Sequence, residues 1–159
     1  MASGAVVYLL AGCAPTTEDA PVVQQSLSAR EQLYLRAIEE DPADAAANYE
    51  LGQVYCEQQR YSKALQAFIQ ARELDSTHRG ARMGIAKVLL VRGELDRALE
   101  EYQAVATICT DCVEVHRSLG AVYLRQRRYQ EARQAYEQAL AGEPDHAPSH
   151  YNLGVALQS

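Results

Sequence analysis

Four cysteines and four histidines are the side chains of this 159-residue chain best suited to chemistry, and their spacing limits what they could do. Cys109-Thr110-Asp111-Cys112 sets two thiols three residues apart. That separation suits a local disulfide across a turn in an oxidising compartment, and a reduced pair in the cytosol. Cys112 also falls where a helix is expected to begin. The positive end of a helix favours the thiolate, so a redox module is the chemical alternative. Adding His116 gives a Cys-x-x-Cys-x-x-x-His run, but zinc needs a fourth ligand and none is near in sequence, so no metal site is expected. His146 and His150 are separated by Pro148 at a helix start, which reads as a turn residue and a packing residue. Cys56, inside a helical stretch, reads as a small apolar filler. There is no HExxH, GxSxG, haem-attachment or glycine-rich phosphate motif, so neither catalytic residues nor a cofactor are expected.

The elements that would position these groups are helical. Leu, Ala, Gln, Glu and Arg fill the interior segments, Pro stays at their edges, and β-branched alternation is scarce, so the expected class is all-α. The net charge of −6 excludes a general nucleic-acid binder, which needs a basic face to release counterions from phosphate. The local group Arg125, Arg127, Arg128 and Arg133 is interleaved with Glu131 and Glu137, the pattern of a solvated helix face. No apolar run reaches the roughly 18 residues that would span a bilayer.

A period of 34 residues organises the chain. Leu51-Gly52, Ile85-Ala86, Leu119-Gly120 and Leu153-Gly154 keep that step without a gap. Tyr55, Leu89, Tyr123 and Leu157 follow three residues after each small residue. Ala64, Ala98 and Ala132 share the step, as do Phe68, Tyr102 and Tyr136, then Ala71, Val105 and Ala139. Spacings of three and four put the large residues of each segment on one helix face. Small residues at Gly52 and Ala64 would let two backbones approach, with Phe68 filling the space beside them. Gln58-Gln59-Arg60, Arg92-Gly93-Glu94 and Gln126-Arg127-Arg128 are short polar turns, which force antiparallel neighbours.

These positions resemble the tetratricopeptide repeat, whose Leu-Gly-x-x-Tyr block is matched by Leu51-Gly52 with Tyr55 and by Leu119-Gly120 with Tyr123. The resemblance implies a right-handed helical solenoid of antiparallel helix pairs. Full units are expected over 45–78, 79–112 and 113–146, with half units over 28–44 and 147–159. Ser28-x-x-Glu31 reads as a capping box that starts the first half unit near residue 29. The last half unit lacks a second helix, so its apolar face calls for a continuation of the chain, a partner or a second copy.

At the N-terminus, the apolar run Ala5–Ala11 ends in Leu10-Ala11-Gly12-Cys13, which resembles the lipobox of bacterial lipoproteins, although Met1-Ala2-Ser3-Gly4 holds no Lys or Arg. The resemblance implies a signal over 1–12, lipidation of Cys13, and a polar tether over 13–27. It also implies a periplasm-facing protein of the bacterial cell envelope, with Ala14 after the cysteine implying the outer membrane; a cytoplasmic protein is the alternative.

The repeat resemblance implies that a partner lies in a concave groove along the first helices. It would be read at the second, fifth, ninth, twelfth and thirteenth positions of each unit. The mapped stripe is Tyr49, Gln53 and Cys56, then Met83, Lys87 and Leu90, then Arg117, Ala121, Leu124 and Arg125, with Tyr151 and Val155 in the last helix. Tyr, Met and Arg are enriched in interface cores, and the scarcity of acid along the stripe suggests an extended or helical peptide carrying acidic groups. Tyr49 and Gln53 stand where the carboxylate clamp of chaperone-binding relatives begins, which argues against that ligand. The expected function is a non-enzymatic scaffold or adaptor that assists assembly of an envelope complex such as a pilus or secretion system. A redox or metal module at Cys109 and Cys112, and a repeat segment of a larger multidomain protein, are the alternatives.

Overall fold

The computed structural model describes residues 20–109 and 112–158, with side chains from residue 26 onward. The described residues form eight helices and no strand: α1 (Ala20–Glu40), α2 (Ala45–Glu57), α3 (Tyr61–Leu74), α4 (Arg79–Arg92), α5 (Leu95–Ile108), α6 (Val113–Arg125), α7 (Tyr129–Gly142) and α8 (Ala147–Leu157). Two compact units divide the chain, Met1–Gly84 and Ile85–Ser159, with the boundary inside α4.

The starts of α2, α4, α6 and α8 keep the 34-residue step, and the residue before each start shows how. Asp44 Oδ1 accepts from the Ala47 N–H at 2.8 Å, His78 Nδ1 from the Ala81 N–H at 3.1 Å, and His146 Nδ1 from the Ser149 N–H at 3.2 Å. Each satisfies a backbone donor that the first helical turn leaves unpaired. His150, expected to pack, is exposed instead, with Nε2 2.6 Å from the Pro144 carbonyl.

The turn inside each repeat is equally regular. After α2, the N–H of Arg60 donates to the Tyr55 carbonyl at 2.8 Å and that of Gln59 to Cys56 at 2.9 Å. Glu94 with Leu89, Gly93 with Leu90, Arg128 with Tyr123 and Arg127 with Leu124 repeat the pattern. This is the Schellman arrangement, which needs one residue in the left-handed region. Gln59 (φ 58°), Gly93 (φ 79°) and Arg127 (φ 59°) supply it, so only the middle turn has the residue that adopts it without steric cost. Arg60 and Arg128 then lie over the rings of Tyr55 and Tyr123, 4.6 and 4.7 Å from the centroids.

The core shows why the repeat needs its glycines. A Cβ built on Gly52 would meet the Phe68 ring at 2.5 Å, and one on Gly84 the same ring at 2.7 Å. Phe68 of α3 is therefore held between α2 and the start of α4. A Cβ on Gly120 would meet the Tyr136 ring at 2.8 Å. The space left by each glycine is thus filled by an aromatic ring rather than by the facing alanine. Tyr102 and Tyr136 occupy the Phe68 position in the second unit, buried beside Ser118 and Asn152. Burial pushes both phenols far above their usual range, opposed by a hydrogen bond with Ser118 at Tyr102 and by Asn152 at Tyr136. The Tyr136 hydroxyl nevertheless reaches no hydrogen-bond geometry.

One expected boundary is corrected. α1 begins at Ala20, so Ser28 lies inside a helix and is not an N-cap, and residues 20–27, assigned to the tether, are helical. Pro21 suits a first turn, and nothing between Val22 and Leu27 breaks a helix. Leu27 is buried, and an exposed mid-helix serine is tolerated. In the same unit, Glu31 of α1 accepts from Arg60 at 2.8 Å and Gln58 at 3.0 Å, and Arg30 donates to Glu57 at 2.7 Å, which ties α1 to the end of α2. Cys13 and the 1–12 signal lie outside the described residues.

Candidate peptide-binding face

Tyr49 and Gln53 of α2, with Met83 of α4, belong to the first compact unit. Tyr49 is half-buried, and its ring lies 5.8 Å from that of Phe68 and 4.8 Å from that of His78. Gly80 fits against it, since a Cβ there would come within 2.9 Å of the Tyr49 ring. Gln53 Nε2 donates to the Tyr49 hydroxyl at 2.9 Å. Tyr49, expected in the partner-binding groove, also packs within its own unit: Gly80 and His78 lie against the ring, and Gln53 is engaged with its hydroxyl. Met83 is half-buried.

Lys87, Leu90, Arg117, Leu124, Arg125 and Tyr151 belong to the second unit. The apolar members come from three successive first helices. Leu90 of α4 and Leu124 of α6 are half-buried at the same repeat position, and Tyr151 of α8 is 61% exposed. Ala121, mapped to the same stripe, is buried.

Two cations of the stripe are paired with carboxylates of the same unit, and a third is hydrogen-bonded to backbone. Lys87 Nζ donates to Glu114 Oε1 at 2.7 Å, Arg117 Nη1 donates to Glu143 Oε2 at 2.6 Å, and Arg125 Nη1 donates to the Leu90 carbonyl. Two of the three cations on the expected stripe are thus already paired with carboxylates of this chain. Glu114 and Glu143 lie 27 and 26 residues along the chain from their partners, a separation that the repeat closes in space. Glu114 occupies the second position of its unit, which the resemblance names as a contact and the mapped stripe omits. An acidic ligand at Lys87 or Arg117 would have to displace these carboxylates; the large apolar and aromatic side chains of the same stripe are Leu90, Leu124 and Tyr151. Exposed ion pairs are worth roughly 0–1 kcal/mol each, which makes such displacement affordable in one place and costly in several.

The CxxC pair is bonded. Cys109 ends α5 as its C-cap and Cys112 precedes α6 as its N-cap, with their sulfurs joined and their Cα atoms 5.5 Å apart. Cys112 stands in the slot that Asp44, His78 and His146 fill at the other starts, but its side chain makes no capping hydrogen bond. The disulfide fixes by a covalent link the helix-to-helix junction that the other units fix by a cap. A sulfur in a disulfide is not a thiolate ligand for zinc, and His116 is half-buried on α6. The 34-residue step carried one residue upstream of each helix would have shown this equivalence from sequence.

Comparison with known proteins places these features in a family. Two tetratricopeptide-repeat profiles match, over residues 33–66 and 76–145. The human protein O-mannosyl-transferase TMTC1 is 33% identical over 94 residues, which is 59% of this chain and 11% of that protein's length. Among solved structures, the crystal structure of MamA superposes with a TM-score of 0.79 at 19% identity, covering 91% of this chain and 85% of that one. YrrB, described as a TPR protein with an unusual peptide-binding site, superposes with a TM-score of 0.74 at 22% identity, covering 88% and 72% of the two chains. With the two profiles together spanning about two thirds of the chain, and the same paired helices in solved relatives, the chain belongs to the tetratricopeptide-repeat family.

Proposed function

We propose that this chain is a non-enzymatic scaffold that holds a peptide segment of another protein along its first helices. One observation carries the reading. Leu90, Leu124 and Tyr151 present apolar side chains from three successive first helices in a single unit, away from the buried core positions Leu89, Val122 and Asn152. Repetition off the core face is what a linear ligand needs, since its side chains recur along an extended or helical backbone. The peptide-binding site of YrrB supports this reading by analogy of fold. The test is selection of displayed random peptides on the immobilised chain, followed by titration against Leu124→Glu. The reading expects ligands with two or three apolar residues and at least a tenfold loss of affinity in the variant, about 1.4 kcal/mol. Ligands whose binding is indifferent to Leu124 would sink it.

The finer proposal is that the scaffold is tethered by a lipid on Cys13 to a bacterial envelope membrane, outer membrane by virtue of Ala14, and assists assembly of a complex there. The Leu10-Ala11-Gly12-Cys13 pattern after an apolar run supports it, and the Cys109–Cys112 disulfide is consistent with an oxidising compartment. Metabolic palmitate labelling of the wild type and Cys13→Ala in a Gram-negative host decides it. Label on the wild type alone supports the tether, and label on neither removes it.

A further inference from the structure

The disulfide between α5 and α6 stands where the other repeat junctions carry a hydrogen-bond acceptor. Asp44, His78, Cys112 and His146 follow one another at the 34-residue step, each just ahead of a first helix. At three of these places the side chain accepts the N–H three residues on, from Ala47, Ala81 and Ser149. Those junctions are made without a covalent link. Cys112 has φ −78° and ψ 92°, against −70° and 96° at Asp44 and −75° and 95° at His146. Its backbone is therefore set as a capping residue, and the N–H equivalent to that of Ala47 belongs to Val115, 3.0 Å from the Cys112 carbonyl. The sulfur in this capping slot is bonded to Cys109.

The two sulfurs sit at opposite ends of helices. Cys112 precedes α6, whose first-turn N–H groups and dipole favour an anion. Cys109 closes α5, with its own N–H on the Val105 carbonyl at 3.0 Å, at the end where unpaired carbonyls disfavour an anion. Of the two acids nearest Cys112 in sequence, Asp111 and Glu114, Glu114 is paired with Lys87 at 2.7 Å, which offsets its repulsion of a thiolate. Neither cysteine is enclosed by the core: both are half-buried, and the adjoining Ile108 is 55% exposed.

We propose that the Cys109–Cys112 disulfide is a reversible exchange site for a dithiol protein, opened by attack on Cys109 with Cys112 as the leaving group. The partner's thiolate bonds to Cys109 Sγ as the bond between the two Sγ atoms breaks, and Cys112 Sγ departs with the electron pair. The partner's second thiol then displaces Cys109 from the mixed disulfide and passes its proton to Cys109. The chain gains two electrons, the partner is oxidised to its own disulfide, and the reverse sequence recloses the bond. Attack falls on Cys109 because the sulfur better held as a thiolate leaves faster. The released Cys112 thiolate occupies the capping slot and accepts from the Val115 N–H as Asp44 accepts from that of Ala47. Opening thus exchanges a covalent junction for the capped kind, which offsets part of the loss. The site involves α5 and α6 alone and does not rest on the peptide-binding reading.

The experiment uses the whole oxidised chain with its remaining thiols blocked by N-ethylmaleimide. Brief exposure to reduced glutathione, an acid quench and peptide mapping locate the first mixed disulfide. Glutathione is expected on Cys109 at least tenfold more often than on Cys112 in the folded chain. In concentrated urea, where the helix ends are gone, the ratio should fall to near one. Reduced thioredoxin, as the dithiol protein, should open the bond in the folded chain. Preference for Cys112, or the same ratio folded and unfolded, overturns the assignment of the leaving group and with it the proposal. A bond that both reagents open only in the urea-unfolded chain is a structural link alone, which likewise overturns it.

Discussion

Adding one methyl group at three equivalent glycines separates crowding from helix propensity. Gly52, Gly120 and Gly154 occupy the same repeat position, so glycine to alanine gains about 1 kcal/mol of helix propensity at each. What differs is the space. The new Cβ would lie 2.5 Å from the Phe68 ring at Gly52, 2.8 Å from the Tyr136 ring at Gly120, and more than 4 Å from any neighbour at Gly154. Phe68 and Tyr136 are wholly buried, so neither ring can swing aside, and overpacking of this kind costs about 1–3 kcal/mol. Gly154→Ala should therefore stabilise by about 0.5–1 kcal/mol. Gly120→Ala should range from neutral to about 2 kcal/mol destabilising, with Gly52→Ala at the upper end. For a chain of this size, each kcal/mol moves the thermal midpoint by about 2–4 °C. Urea and thermal unfolding followed by far-ultraviolet circular dichroism measure all three, and Gly120→Leu should be worse than Gly120→Ala. A second check is Gly120→Ala combined with Tyr136→Leu, which vacates ring volume and should recover part of the loss. Equal shifts for all three alanine variants would refute the reasoning, because the rings would then not be what the glycines accommodate.

Other predictions test single contacts. Reducing the Cys109–Cys112 disulfide should lower stability by about 2 kcal/mol, the loop-closure value for so short a loop, and Cys109→Ala with Cys112→Asp should recover about 1 kcal/mol by restoring the cap that Asp44 provides at α2; urea midpoints under each condition measure it. Tyr136→Phe should be nearly neutral in thermal midpoint, because that hydroxyl is buried without a hydrogen bond. Gln59→Gly and Arg127→Gly should each stabilise by about 0.5–1 kcal/mol, since both hold φ near +60° and are exposed; a fall in the thermal midpoint would contradict the turn assignment. At Glu31, burial raises the carboxyl, but hydrogen bonds from Gln58 and Arg60 outweigh it and hold the folded pKa below the ordinary 4.5. A depressed folded pKa contributes stability above the unfolded value and loses it as pH falls through the folded one. The stability gap between wild type and Glu31→Gln should therefore be steady at neutral pH and close as acid is added below that ordinary value.

The periodicity determined most of the architecture before any coordinates. Leu51-Gly52 recurring through Leu153-Gly154 identified the paired helices, and Gln59, Gly93 and Arg127 identified the turns, because helix faces and turn chemistry are local properties read within a few residues. The start of α1 escaped that reading, since Ser28 and Glu31 have the composition of a capping box and only the burial of Leu27 and the contacts of Glu31 to Gln58 and Arg60 in the turn after α2 show that the helix runs through. The candidate face divided in the same way. Sequence located Leu90, Leu124 and Tyr151 by their position in the repeat. Only the tertiary structure decided that Lys87 meets Glu114, that Arg117 meets Glu143, and that Tyr49 turns onto Phe68 and His78. Those outcomes depend on which side chains from different helices come within a few ångströms. A linear pattern gives the residue types on each face, but the pairing across faces follows from how the helices pack.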